Sequence, residues 1–215
     1  MERNYHKPTS VSIDLVELNW RTAFHEAGHA VSIQIGNQEK QLPPVFFEIL
    51  VKRATSPDGQ FFAKVLNGNL IQNFPIDIVE SFSQISGSDQ HSCQRAYEAD
   101  VINLLVGPLA EAKYISIRDN QMFNSSLLTA KALYNYGGYT DMKKIETYLD
   151  AFIAAKELRE DKMLELLVQA FQFISNPKNW GRITKLAHYI LNSSQETISC
   201  DEAITIMDGG SPEQV

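Results

Sequence analysis

Cysteine is scarce in this chain, and the two that occur, Cys93 and Cys200, lie far apart with no CxxC pair. Small disulfide-stabilised domains carry several closely spaced cysteines, so this pattern argues against a disulfide framework. We therefore expect a reducing, cytoplasmic location, with both thiols acting as small buried hydrophobes.

Long apolar runs are also missing. No stretch approaches the ~18 uninterrupted apolar residues of a membrane-spanning helix, and the first residues lack the apolar core of a signal peptide. The formal net charge is −7 and there is no cluster of lysine and arginine. An acidic surface repels nucleic-acid phosphates and anionic lipid headgroups, so we predict neither a nucleic-acid partner nor a membrane partner.

Hydrophobic residues make up 44% of the chain, which is enough for a folded core. The length of 215 residues fits a single domain over residues 1–215. Within it we predict an irregular lead-in over 1–13, a core over 14–205 and a frayed tail over 206–215, where Gly209-Gly210 ends the last helical pattern.

Apolar spacing predicts a mainly α fold with one small β-hairpin. Helical spacing runs from about Asp14 to Ile35. Strand formers over 45–51 and 61–66 flank Ser56-Pro57-Asp58-Gly59, which is typical of a hairpin turn. Further helices are predicted over 96–115 with a kink or break at Gly107-Pro108, from Thr140 past Leu167, after Asn176-Pro177, and from a Ser-x-x-Glu capping box at Ser199.

The segment His25-Glu26-Ala27-Gly28-His29 is an HExxH motif on the first predicted helix. Residues four apart on a helix point the same way, with a rise of roughly 6 Å. Both imidazoles can therefore bind one ion, and zinc accepts imidazole nitrogen readily. Small apolar neighbours such as Ala23 and Ala30 indicate a buried helix, on which two histidines and a glutamate need partners.

Glu26 follows the first histidine directly and borders the expected metal site. There its carboxylate can accept the proton of the water that attacks a carbonyl, which makes Glu26 the candidate catalytic base. The alternative is that the motif arose by chance on a helix of a purely structural protein.

The motif helix closely resembles that of the FtsH-type zinc metallopeptidases, whose pattern reads approximately T-A-Y-H-E-A-G-H-A-V. Two later segments resemble family segments in the same order, and the hairpin resembles the family's short β element. The matching segments here are Thr22-Ala23-Phe24-His25-Glu26-Ala27-Gly28-His29-Ala30-Val31, Leu104-Leu105-Val106-Gly107-Pro108-Leu109-Ala110-Glu111 and Gly137-Gly138-Tyr139-Thr140-Asp141-Met142. Pro108 and Leu109 replace residues that are usually Gly and Arg in the family.

The resemblance implies a role for five residues. His25 and His29 would bind zinc, Glu26 would be the base, Asp141 would be the third ligand, and Glu111 would orient a ligand histidine. Asp141 is also expected in the first turn of a helix, which favours a carboxylate with or without a metal. Glu111 can equally be an ordinary glutamate on a helix surface. Asp89, His91, Asp100 and Glu146 are fallback ligands.

The resemblance implies a zinc-dependent endopeptidase that hydrolyses unfolded or flexible polypeptides. No G-x-x-x-x-G-K-[ST] phosphate loop occurs in the chain, so we expect hydrolysis without ATP, either as a homo-oligomer or beside a separate ATPase. The alternative is a catalytically idle domain of the same fold that acts as a protein-binding or regulatory module.

Overall fold

The protein is mainly helical, with one small antiparallel sheet, as the spacing of apolar residues predicts. The computed structural model describes residues 15–52, 62–71, 87–125 and 129–210. The described elements are α1 (Leu15–Val31), a π-helical turn (Ser32–Gly36), α2 (Asn37–Glu39), β1 (Phe47–Lys52), β2 (Phe62–Asn67), α3 (Gly87–Arg118), a 3-10 helix (Ala130–Asn135), α4 (Tyr139–Phe152), α5 (Lys156–Ser175), α6 (Pro177–Asn192), β3 (Thr197–Ser199) and α7 (Cys200–Met207).

Helix α1 is the central helix of the core. Its first turn is exposed at Leu15 and Val16, whereas every residue from Thr22 to Val31 is buried. It packs against α3, α6 and β2, so the HExxH segment is enclosed by three neighbouring elements. The helical path does not stop at Ile35, because the π-helical turn and α2 carry it to Glu39.

A glycine allows α1 and α3 to approach closely. A Cβ atom built on Gly28 would lie 2.8 Å from the Cβ of Ala110 and 2.9 Å from the carbonyl oxygen of Val106. Real side chains do not fit at such distances, so glycine is the only residue type at position 28 that permits this crossing. The crossing places the HExxH segment of α1 against the middle of α3.

The sheet has the strand order β2-β1-β3, with both pairs antiparallel. Strand β3 was not predicted, since three residues are too few to show a strand pattern; its Ile198 pairs with Ile49 and both are fully buried. The predicted turn at Ser56-Pro57-Asp58-Gly59 lies outside the described residues. Strand β2 is an edge strand, and α1 packs against it.

Helix α3 is longer than predicted, beginning at Gly87, and it continues through Gly107-Pro108 without a break. Proline removes one intrahelical hydrogen bond, which often ends a helix. Here every residue from Ala99 to Ala112 is buried, so packing on both sides of the proline holds the helix together.

The prediction of one helix from Thr140 past Leu167 was wrong. Helix α4 ends at Phe152, Ile153 is extended with φ −130° and ψ 105°, and α5 starts at Lys156. Arg159 stabilises the break, because its guanidinium donates hydrogen bonds to the carbonyl oxygens of Ile153 at 2.6 Å and Ala154 at 3.2 Å.

The last two helices begin as their capping residues indicate. The Asn176 side chain accepts a hydrogen bond from the Lys178 N–H, and Ser199 accepts one from the Glu202 N–H. Helix α7 includes Ile206 and Met207, which are buried although the predicted frayed tail begins at residue 206.

The predicted lead-in over 1–13 lies outside the described residues. None of the described helices combines the length and apolarity needed to cross a bilayer.

Candidate metal centre

Three side chains from two distant segments converge on one buried point. The Nε2 atom of His25 lies 3.1 Å from Oδ2 of Asp141, and the Nε2 atom of His29 lies 3.6 Å from its Oδ1. One candidate ligand atom from each residue lies within 4.8 Å of the others, and all three residues are buried. The first turn of α4, reached after Gly137-Gly138, carries Asp141 to the motif helix.

The Nδ1 atom of each imidazole, which faces away from Asp141, is hydrogen-bonded to an oxygen acceptor. Nδ1 of His25 lies 3.2 Å from a carboxylate oxygen of Glu111 and 3.2 Å from the carbonyl oxygen of Tyr136. Nδ1 of His29 lies 2.8 Å from the carbonyl oxygen of Asn103. Since a carbonyl can only accept, Nδ1 carries the proton in both rings and the neutral tautomer has its lone pair on Nε2. Both Nε2 atoms therefore face Asp141, with a lone pair in the neutral form and with an N–H that donates to the carboxylate in the protonated form.

The buried cluster requires positive charge between its members. Burial lowers the pKa of His25, but hydrogen bonds with Asp141 and Glu111 outweigh burial and raise that pKa to about 10. Burial raises the pKa of Asp141, but the charges of His29 and His25 and hydrogen bonds to both rings hold it well below its usual range. Protons on the imidazoles can supply this charge, and so can a metal cation.

Glu111 is fully buried, which excludes an ordinary surface position for it. Its Oε2 contacts His25, and its Oε1 accepts a hydrogen bond of 2.8 Å from Nε of Arg21. Arg21 lies one turn before His25 on α1, and its positive charge compensates the buried charge of the Glu111 carboxylate. Glu111 therefore fixes the ring plane and tautomer of His25.

Glu26 lines the same cavity as His29 and Asp141. It is 3% exposed, and its Oε2 accepts a hydrogen bond of 2.8 Å from the backbone N–H of Val65 on β2. That N–H points away from β1, since it is used outside the ladder of the sheet. The edge strand therefore fixes the position of the Glu26 carboxylate.

A polar network behind His29 was not predicted. The Asn103 side chain accepts a hydrogen bond of 2.7 Å from Ser32 and donates one of 3.3 Å to Asn37. The backbone carbonyl oxygen of the same residue accepts the hydrogen bond from His29. Ser32 begins the π-helical turn that directly follows α1. Such turns are frequent at functional sites, and this one links the end of the motif helix to α3.

A small cavity of about 50 Å³ opens beside these groups. Glu26, His29 and Asp141 line it, together with Lys64, Val65 and Lys144. A volume of this size holds a water molecule, whose share of liquid volume is about 30 Å³. A larger cavity of about 860 Å³ between α4 and α5 contains none of the three candidate ligands, so volume alone does not locate the chemistry.

The three fallback ligands whose side chains are described, His91, Asp100 and Glu146, do not join the cluster. His91 is exposed, and Glu146 is bound to Tyr134 and Lys143 on the surface. Asp100 accepts hydrogen bonds from the Leu70 N–H, the Ile71 N–H and the Tyr148 hydroxyl. The side chain of Asp89 lies outside the described residues. Among those residues, His25, His29 and Asp141 form the only group with metal-ligand geometry.

Gly107 of α3 makes room for His29. A Cβ atom at this position would lie 2.3 Å from both Cε1 and Nε2 of the ring. We expect Gly107→Ala to push the ring out of line, weaken zinc binding by about 10- to 100-fold and lower the free energy of unfolding by about 1–3 kcal/mol. Zinc titration with a competing chelator and urea unfolding measure the two effects.

Gly181 of α6 provides the matched control, since a Cβ atom there meets no other atom within 4 Å. Gly181→Ala should leave zinc affinity unchanged and stabilise the helix by about 0.5–1 kcal/mol. Equal zinc affinities for the two alanine variants would contradict the position assigned to His29.

Comparison with protein-family models and with curated proteins gives no match to this chain.

Proposed function

We propose that the chain is a zinc-dependent metallopeptidase that hydrolyses peptide bonds without ATP. One observation carries the proposal: Nε2 of His25, Nε2 of His29 and the Asp141 carboxylate face one another in a buried site, with the Glu26 carboxylate lining the same small cavity. Two imidazoles and one carboxylate leave a fourth position open, as catalytic zinc sites require.

The residues fit zinc in their chemistry as well as in their number. Each candidate histidine donates its outer N–H to an oxygen acceptor, which is the usual arrangement around zinc-binding histidines. The acceptors are Glu111 and the Tyr136 carbonyl for His25, and the Asn103 carbonyl for His29. The buried carboxylate of Asp141 also needs a cation beside it, and a divalent ion would replace the protons of the metal-free site.

When bound, zinc would supply a Lewis acid toward the scissile carbonyl and toward water. Glu26 then accepts the proton of the attacking water and passes it to the leaving amine. The Val65 N–H holds one oxygen of Glu26, which leaves the other free for the proton. His25 and His29 stay in place through their hydrogen bonds with Glu111 and the backbone carbonyl oxygen of Asn103.

The shape of the site favours extended substrates. The cavity is lined by Lys64, Val65 and Asn67 of edge strand β2, so a substrate that follows this strand passes the candidate ligands. An extended segment of polypeptide can pair with an exposed strand edge through its backbone. This supports unfolded or flexible polypeptides as the substrate class.

Metal removal tests the proposal. Purified protein is expected to bind one zinc ion per chain and to cleave an unfolded protein such as reduced, alkylated lactalbumin. Chelation should abolish cleavage, and zinc should restore it. Elemental analysis and a gel-based cleavage assay provide the two readouts.

The other outcomes separate the competing explanations. Protein that binds no stoichiometric zinc would identify the HExxH segment as a chance motif in a structural helix. Stoichiometric zinc without turnover of any unfolded protein would instead support an idle domain that binds other proteins.

A further inference from the structure

Two lysines belong to the lining of the candidate active site. Lys64 lies on β2 beside Val65, and Lys144 lies on α4 one turn after Asp141. Both line the cavity that Glu26, His29 and Asp141 share. A lysine carries its ammonium on a flexible four-carbon stem, so both charges can reach a ligand in or above this cavity.

Neither lysine has an ion-pair partner among the described residues. The neighbouring Lys143 differs, because its Nζ lies 2.7 Å from Oε2 of Glu146. The two carboxylates of the same lining are already engaged: Asp141 by His25 and His29, and Glu26 by the Val65 N–H. Within the part of the chain that the structure describes, both ammonium groups therefore remain available to a ligand.

The charges of the lining favour an anionic ligand. Two carboxylates, Glu26 and Asp141, balance the two lysines, so the lining is neutral in total when His29, its one histidine, is neutral. A divalent ion bound to the proposed ligands would make it positive by two charges. The whole chain carries a formal net charge of −7, so this cavity would be a local positive region on an acidic protein.

From this lining we infer that Lys64 and Lys144 bind a carboxylate of the substrate, so that the site selects peptides with acidic groups near the scissile bond. This inference rests on the proposed function, because it takes an extended polypeptide as the ligand. The carboxylate can come from an Asp or Glu side chain or from the C-terminus of the peptide. Both sources offer the same chemistry to an ammonium group.

Peptide binding without turnover tests the inference. Zinc-loaded protein carrying Glu26→Gln is titrated into fluorescein-labelled decapeptides of one sequence with Glu, Gln or Lys at the central positions, each amidated at the C-terminus. Anisotropy should show the Glu peptide binding about tenfold more tightly than the Gln peptide. The difference should shrink in 0.5 M salt. A Gln peptide with a free C-terminus shows whether the chain end is recognised as well.

Variants assign the effect to the two lysines. Lys64→Gln combined with Lys144→Gln should abolish the preference for Glu, and Lys144→Glu should reverse it toward the Lys peptide. Lys52→Gln on β1 and Lys143→Gln on α4 are the matched controls, since both lysines are exposed and neither lines the cavity. These controls should keep the full preference.

Two results would overturn the inference: equal binding of the Glu and Gln peptides with both lysines present, or a preference that survives the double replacement. The binding assay is independent of cleavage. If the unmodified chain cleaves both peptides equally and binds them equally, the metallopeptidase proposal stands and the lysine inference fails. If the unmodified chain binds the Glu peptide preferentially but cleaves neither peptide, the lysine assignment stands and the metallopeptidase proposal fails.

Discussion

Replacing Glu26 by glutamine is expected to abolish peptide hydrolysis while leaving zinc bound. Glutamine has nearly the same shape, and its amide oxygen can still accept the hydrogen bond from the Val65 N–H that Glu26 accepts at 2.8 Å. An amide cannot take a proton from water, so kcat should fall by about 10²- to 10⁴-fold. The KM for a peptide substrate should change little, because the other residues that line the cavity are unaltered.

The measurement combines steady-state cleavage of a quenched fluorescent peptide with elemental analysis of the same samples. Glu26→Asp keeps the carboxylate but withdraws it by one methylene, so its activity should lie between those of the unmodified protein and Glu26→Gln. Glu17→Gln is the matched control on the same helix, since Glu17 bonds to Tyr114 and Arg118 away from the cavity. It should retain full activity.

Two results would contradict the role of Glu26. A Glu26→Gln protein with full zinc and full activity would show that another group accepts the proton. Loss of zinc in this variant would show that Glu26 supports the metal site, because the candidate ligands His25, His29 and Asp141 do not include it.

The part of the site that could be predicted is the part formed by neighbouring side chains. The i, i+4 spacing of His25 and His29 follows from helix geometry alone, and the small apolar residues around them indicate burial. Asp141 is 112 residues beyond His29, and no local pattern connects the two positions. Asp141 is a candidate ligand only because segments of this chain resemble, in the same order, segments of the FtsH-type metallopeptidases.

Backbone groups explain most of what the sequence did not reveal. The carbonyl oxygen of Asn103 holds His29, the carbonyl oxygen of Tyr136 contacts His25, and the N–H of Val65 holds Glu26. Every residue offers a carbonyl and nearly every residue an N–H, so residue type gives no signal at these positions. They are found only when the fold brings distant segments together.

The same limit applies to the fold. The helix break at Ile153 contains neither glycine nor proline, and what stabilises it is the side chain of Arg159 from the following helix. Gly107-Pro108 has the opposite outcome, since a strong local breaker lies inside a continuous helix. In both places tertiary contacts outweigh the local propensity that a sequence shows.

Replacing Asp141 by asparagine is expected to reduce zinc affinity by more than about 100-fold. Changes in the groups around metal ligands already cost about 10- to 100-fold, and loss of a charged ligand exceeds that. Asparagine keeps the size of the side chain, but it removes the negative charge between His25 and His29 and presents an NH₂ group to one of the rings. Competition with a fluorescent zinc chelator measures the affinity.

The metal-free form of the same variant gives an independent check through pH. Burial lowers the pKa of His25, but hydrogen bonds with Asp141 and Glu111 outweigh it and raise this pKa to about 10 in the folded protein, from an ordinary value of 6.5. A raised folded-state pKa means that this stabilisation is complete below about pH 6.5 and is lost as the pH rises toward 10. Asp141→Asn should therefore lower the free energy of unfolding by about 3–5 kcal/mol at pH 6, with a smaller loss near pH 10. Urea unfolding of chelator-treated protein measures both values. A loss of stability that is independent of pH would place Asp141 outside the histidine cluster, and unchanged zinc affinity would remove it from the ligand set.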